Sequence, residues 1–101
     1  MHSRRVRAVL DTGRRLHGGL VIVFVAPGSG ETAVVAARRI GGAVQRNRAR
    51  RILRAAWHQV VPQTDDRDVV LVAREAIRGA TTQDLVTEMT ELLDRGGFAH
   101  P

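Results

Sequence analysis

Between Ala43 and about Val60 the chain contains neither glycine nor proline, and at 100° per residue its side chains sort cleanly by face. A long helix is the only regular structure that this periodicity suits. Ala49, Ile52, Leu53, Ala56 and Val60 form an apolar stripe that needs another layer to cover it. Arg46, Arg50 and Arg54 fall in one i, i+4 row, Asn47 and Arg51 in the next, and Arg48 flanks them. Like charges at this spacing cost an isolated helix roughly 0.2–0.5 kcal/mol per pair, and no Asp or Glu interleaves them. The helix therefore has to bury one face while keeping a dense cationic plate on the other, until Pro62 ends it.

The flanking segments supply the covering layer. Leu20 to Val25 is a short β-branched run followed by Pro27-Gly28-Ser29-Gly30, which reads as a buried strand and a turn. Thr32 to Ala37 reads as its partner, antiparallel because the connection is so short. Arg38-Arg39-Ile40-Gly41-Gly42 then gives a sharp entry to the long helix. Asp68 to Ala73 is a third strand, reached through a helix long enough to be a crossover. A first helix carries Val6, Val9 and Leu10, with Ser3 as its cap and a left-handed Gly13 as its stop. A last helix capped at Thr81-Thr82 places Leu85, Met89, Leu92 and Leu93 on one side and closes at Gly96-Gly97. The expected fold is one α+β domain over residues 1–101, with order α-β-β-α-β-α and a single sheet covered by helices.

Charge narrows the partner. The net charge is +6, and all sixteen basic residues are arginines. Residues 1–64 hold twelve of them against Asp11 and Glu31, whereas residues 65–101 hold four against eight acids. Between Glu31 and Asp65 there are seven arginines and no acid, a one-sided field that attracts polyanions. Asn47, set among the arginines, offers an amide to a base or sugar edge. Nucleic-acid binding is the expected activity, and about six phosphate contacts would make it steeply salt-dependent.

Other chemistries fit poorly. With no cysteine, thiolate metal sites and thiol nucleophiles are excluded. His2, His17, His58 and His100 are scattered at no metal-ligand spacing, and Asp65, Asp66 and Asp68 read as a solvated loop beside a strand. Gly41-Gly42-Ala43 lacks both the Walker lysine and the full glycine fingerprint of a nucleotide pocket. The longest apolar run is far short of the roughly 20 residues a membrane span needs, and the N-terminus lacks the pattern of a secretory signal, so a cytoplasmic location is expected.

The run Arg38-Arg39-Ile40-Gly41-Gly42-Ala43-Val44-Gln45-Arg46-Asn47-Arg48-Ala49-Arg50-Arg51-Ile52-Leu53-Arg54 resembles the signature of the bacterial ribonuclease P protein family. The resemblance extends over nearly the whole chain, since the other elements fall in family order. It implies a ribosomal S5 domain 2-like fold with a left-handed crossover through the arginine-rich helix. It also implies a subunit that joins a catalytic RNA to remove the 5′ leader of precursor tRNA. In this family the RNA performs the hydrolysis with bound Mg²⁺, so the protein itself would hold no catalytic residue, metal or cofactor, and would need no protein partner or membrane. By position, Arg38, Arg39, Arg46, Asn47, Arg48, Arg50, Arg51 and Arg54 would face the RNA subunit. A leader-binding cleft would involve Val6, Arg7, Leu10, Arg14, Arg15 and Phe24, with Val6 and Leu10 standing where the family usually has phenylalanine. Gly42 replaces the family's usual Asn or Lys. A ribosomal-protein-like RNA binder without a role in cleavage is the alternative. A major-groove DNA reader is disfavoured, because the helix lacks a preceding helix-turn partner.

Overall fold

The computed structural model describes residues 1–60 and 66–98; Pro62, Asp65 and His100, each given a role or weighed above, lie outside them. Its elements are α1 (Ser3–Thr12), β1 (Arg14–His17), β2 (Val21–Pro27), β3 (Thr32–Val35), α2 (Ala43–Val60), β4 (Arg67–Ala73) and α3 (Thr82–Arg95). Short 3-10 turns at Arg38–Ile40 and Glu75–Gly79 precede the two long helices. The expected α+β class holds, with one strand more than expected. That strand, β1, carries a single buried residue, Leu16, among exposed polar ones, too little apolar pattern to announce a strand.

The four strands lie in the order β1-β2-β4-β3. β2 pairs antiparallel with β1 and β4, and β3 pairs parallel with β4. The antiparallel hairpin expected between β2 and β3 does not form, because β4 lies between them. The reason is burial: β4 is apolar towards both faces, with Val69, Val70 and Leu71 each at most 1% exposed, so it takes the centre while the short β3 takes an edge. β3, α2 and β4 thus form a parallel pair joined by a helical crossover.

Alternation along the strands builds two apolar layers. Val21, Val23 and Val25 of β2, with Val69, Leu71 and Ala73 of β4, face α2 and α3. Phe24 and Ala26, with Val70, face α1 and pack against Val6, Val9 and Leu10. All five residues of the predicted α2 stripe are buried in the first layer.

Asp68 corrects the solvated-loop reading. It is 2% exposed and accepts hydrogen bonds from Ser29 N and Glu31 N, each at 3.0 Å, and from Arg5 Nε at 2.6 Å. Arg5 also donates to the carbonyl of Pro27. The Arg5 guanidinium holds the carboxyl below its ordinary value, and the two backbone donors act in the same direction against the cost of burial. Asp66, by contrast, is exposed. Glu88 of α3 is likewise no solvated acid: its carboxylate accepts from the backbone N–H groups of Gly19, Leu20 and Val21 at 2.9–3.2 Å and fixes the β1–β2 turn.

The caps are partly as expected. Thr81 Oγ1 accepts from Asp84 N at 3.1 Å while Asp84 accepts from Thr81 N at 2.9 Å, a reciprocal cap that leaves Thr82 as the first residue of α3. At α1, His2 rather than Ser3 supplies the cap, its Nδ1 accepting from Arg4 N. Gly13 is extended at φ −70°, not left-handed; a side chain there would strike the carbonyl of Val9. Gly41, at φ +139°, is the position before α2 that does require glycine.

Leu53→Ala, which empties a fully buried position, is expected to cost about 2–5 kcal/mol in urea unfolding. Asp68→Ala should cost about 2–3 kcal/mol at neutral pH by leaving Arg5 and two backbone donors without their acceptor. Because the folded value of Asp68 is depressed, its contribution is present above the unfolded value of 3.8 and is lost as pH falls through the lower folded value. Acid unfolding curves of the wild type and Asp68→Asn should therefore converge in that range.

Candidate nucleic-acid interface

The sheet buries one side of α2 and leaves the other to its arginines. Arg51 and Arg54 are exposed, and Arg46 and Arg50 are partly so. Among the described residues, no arginine of α2 or of the Arg38–Ile40 turn forms a salt bridge with an acid; the three ion pairs are Met1–Glu31, Arg5–Asp68 and Arg67–Asp66. Nor does the first turn of α2 carry an acid. The cationic plate is thus not neutralised from within the described chain, and its field extends outward over about a Debye length.

Two residues of this set have internal duties. Arg48 donates to the carbonyls of Ala80 at 2.5 Å and Ile77 at 3.4 Å, tying α2 to the turn before α3. Its guanidinium therefore also serves as a strut, a duty that the sequence reading, which set Arg48 beside the cationic rows, did not include. Asn47 Oδ1 accepts from Arg50 at 2.6 Å, which fixes that guanidinium and leaves the Asn47 amide N–H₂ as its free donor group. Arg38 and Arg39 are exposed on the turn that leads into the helix.

Residues assigned to the leader cleft divide between the two sheet faces. Val6, Leu10 and Phe24 do converge, in the layer beneath α1. Phe24, however, is only 8% exposed, so its ring is packing under the helix rather than an open stacking platform. Arg15 lies opposite Phe24 across the β1–β2 pair and is exposed, as is Arg7 on α1. Arg14 belongs to the other face: it donates to the carbonyl of Gly96 at 2.7 Å and lies 5.2 Å from the centre of the Phe98 ring. Strand alternation separates it from Arg15.

A cleft of about 410 Å³ opens on the α1 side of the sheet, floored by Ile22 and Val72. His17, Arg39, Arg74 and Glu75 line it. His17 and Arg74 formed no part of the sequence-derived site, since nothing local marks residues so far apart as neighbours. Arg39 joins this cleft to the basic turn before α2. Among the described residues no three His, Asp or Glu side chains gather as a metal-binding set, and no helix is long and apolar enough to cross a membrane.

The family model described as Ribonuclease P matches residues 2–97. The ribonuclease P protein component of Nitratiruptor sp. is 34% identical over 94 residues, covering 92% of this chain and 86% of that protein. That of Acidothermus cellulolyticus is 37% identical over 102 residues, covering 92% and 82%. Among solved structures, a Staphylococcus aureus RNase P protein mutant with defective mRNA degradation activity superposes with a TM-score of 0.80 at 16% identity, covering 97% of this chain and 86% of that one. The RNase P protein from Thermotoga maritima gives 0.75 at 20% identity and 94% coverage of each.

Because Arg48 braces two carbonyls and Arg51 braces none among the described residues, Arg48→Ala should lower stability by about 1–3 kcal/mol, whereas Arg51→Ala should leave it within about 0.5 kcal/mol of wild type. Thermal melts of the two variants side by side check this.

Proposed function

The chain belongs to the ribonuclease P protein family, and on that footing we propose that it partners a catalytic RNA in removing the 5′ leader from precursor tRNA. The observation that carries the proposal is the guanidinium face of α2, which stands without acidic partners among the described residues. Phosphates are the chemistry such a face fits, because planar guanidiniums bind them by paired hydrogen bonds and retain their charge at every relevant pH.

In this reading Arg46, Asn47, Arg50, Arg51 and Arg54, with Arg38 and Arg39, hold the RNA subunit, and Arg48 keeps the helix in place beneath them. The other sheet face, with Arg7, Arg15 and Arg39, receives the single-stranded leader. The RNA breaks the phosphodiester bond using Mg²⁺ bound to RNA; the protein contributes charge and position. Each guanidinium placed among phosphates lowers their mutual repulsion, which reduces the concentration of divalent cation needed to hold the RNA in its active arrangement.

Two outcomes are expected. Adding the protein to its matching RNA subunit at low Mg²⁺ should restore precursor cleavage that neither component shows alone; binding with no change in cleavage would leave a purely structural RNA binder instead. RNA affinity should fall linearly on a log–log salt plot, and Arg51→Ala should reduce the slope by about one.

A further inference from the structure

A second feature of α2 lies where its last turns meet the free edge of the sheet. A groove of about 300 Å³ is lined there by Thr32 and Val34 of β3 and by Arg54, Trp57 and His58 of α2. That volume is at the lower end of pockets that hold small ligands, roughly 300–1,000 Å³. We propose that this groove receives one unpaired base of single-stranded RNA, stacked on Trp57 with its phosphate on Arg54. The inference rests on the ribonucleoprotein reading above and adds to it a base site at the end of the arginine plate.

Three observations converge. Trp57 is the chain's only tryptophan; it is half-buried, packed against the core on one side and lining the groove on the other. Arg54 and His58 flank it one helical turn apart, both exposed, and among the described residues no acid lines the groove. Arg54 is also the last member of the Arg46, Arg50, Arg54 row, so a backbone held along that row is led to the groove.

The third is the strand edge. Val69 N donates to the carbonyl of Glu31, so Glu31 turns its backbone groups towards β4. In a parallel ladder this orientation alternates, which aims the N–H and C=O of Thr32 and Val34 outward, at the groove. A base lying on Trp57 meets donors and acceptors at its edge. An added peptide strand fits less well, because β3 is only four residues long and the groove's charge is cationic.

With one tryptophan and no tyrosine, the emission of the wild-type protein reports this groove alone. The test titrates the protein with an unstructured RNA oligonucleotide of leader length, a blunt RNA duplex, the RNA subunit and precursor tRNA, reading tryptophan emission beside the anisotropy of labelled RNA. The oligonucleotide should quench emission saturably, and the duplex should bind without quenching. Quenching by the RNA subunit or by the precursor then identifies which molecule donates the base. Trp57→Leu should weaken oligonucleotide binding about tenfold and Trp57→Phe about twofold, in keeping with a stacked base. Saturating anisotropy with unchanged emission overturns the proposal, as does full affinity in Trp57→Leu; should that variant fail to fold, wild-type quenching and Trp57→Phe decide. An emission change that tracks protein concentration without RNA assigns the groove to a second copy's edge and also overturns it. Failure of the RNA subunit to bind, with oligonucleotide quenching intact, would strike the ribonucleoprotein reading and leave the base site standing.

Discussion

A single buried carboxylate holds the arrangement on which the interface depends. Asp68, at the start of β4, ties down the loop after β2 through Ser29 and Glu31 and clamps α1 through Arg5. That loop carries the chain over the start of β4, so that β3 lies on its far side and runs parallel to it. Once β3 and β4 are parallel neighbours, the segment between them has to return along the sheet, and α2 is that segment. The cationic helix is thus presented by the same connection that completes the sheet.

Four acids are engaged elsewhere, which leaves α2 without an acidic partner among the described residues. Asp68 is engaged with Arg5 and the loop, Glu88 with the β1–β2 turn, Asp84 with the cap of α3, and Glu31 with the N-terminus. Each of these four carboxylates fixes a backbone bend or holds a terminus or helix in place, and among the described residues none forms an ion pair with α2. The mutual repulsion of the arginines is a cost that burial of Ile52, Leu53, Ala56 and Val60 offsets in the folded protein. A polyanion bound to that face would relieve it, so binding and folding favour each other.

The division of labour within the arginine set follows from geometry rather than from residue type. Arg48 points towards the turn before α3 and donates to the Ala80 carbonyl, with a longer bond to that of Ile77, which also accepts from Ala80 N, whereas Arg51 and Arg54, further around the same helix, meet solvent. A set of like side chains on one helix therefore contains both a brace and side chains exposed at the surface.

The periodic elements were legible in the sequence because their signals are local. The bounds of α2, its five-residue stripe and the Thr81 cap follow from spacing, side-chain volume and hydrogen-bonding capacity within a few residues. Strand order was not legible: a four-residue connection suggested a hairpin, but the burial of both faces of β4 outweighed chain proximity and put β4 between β2 and β3. Nor could composition tell that Asp68 is buried while Asp66 is exposed, that Arg14 and Arg15 serve opposite faces, or that Trp57 would lie against the edge of β3. The sequence by itself determined which segments could be helix or strand and where the positive charge concentrates, since these depend on neighbours along the chain. Only the tertiary structure decided which side chains remain free to meet a partner, because that depends on contacts between residues tens of positions apart, set by how the layers share their buried surface.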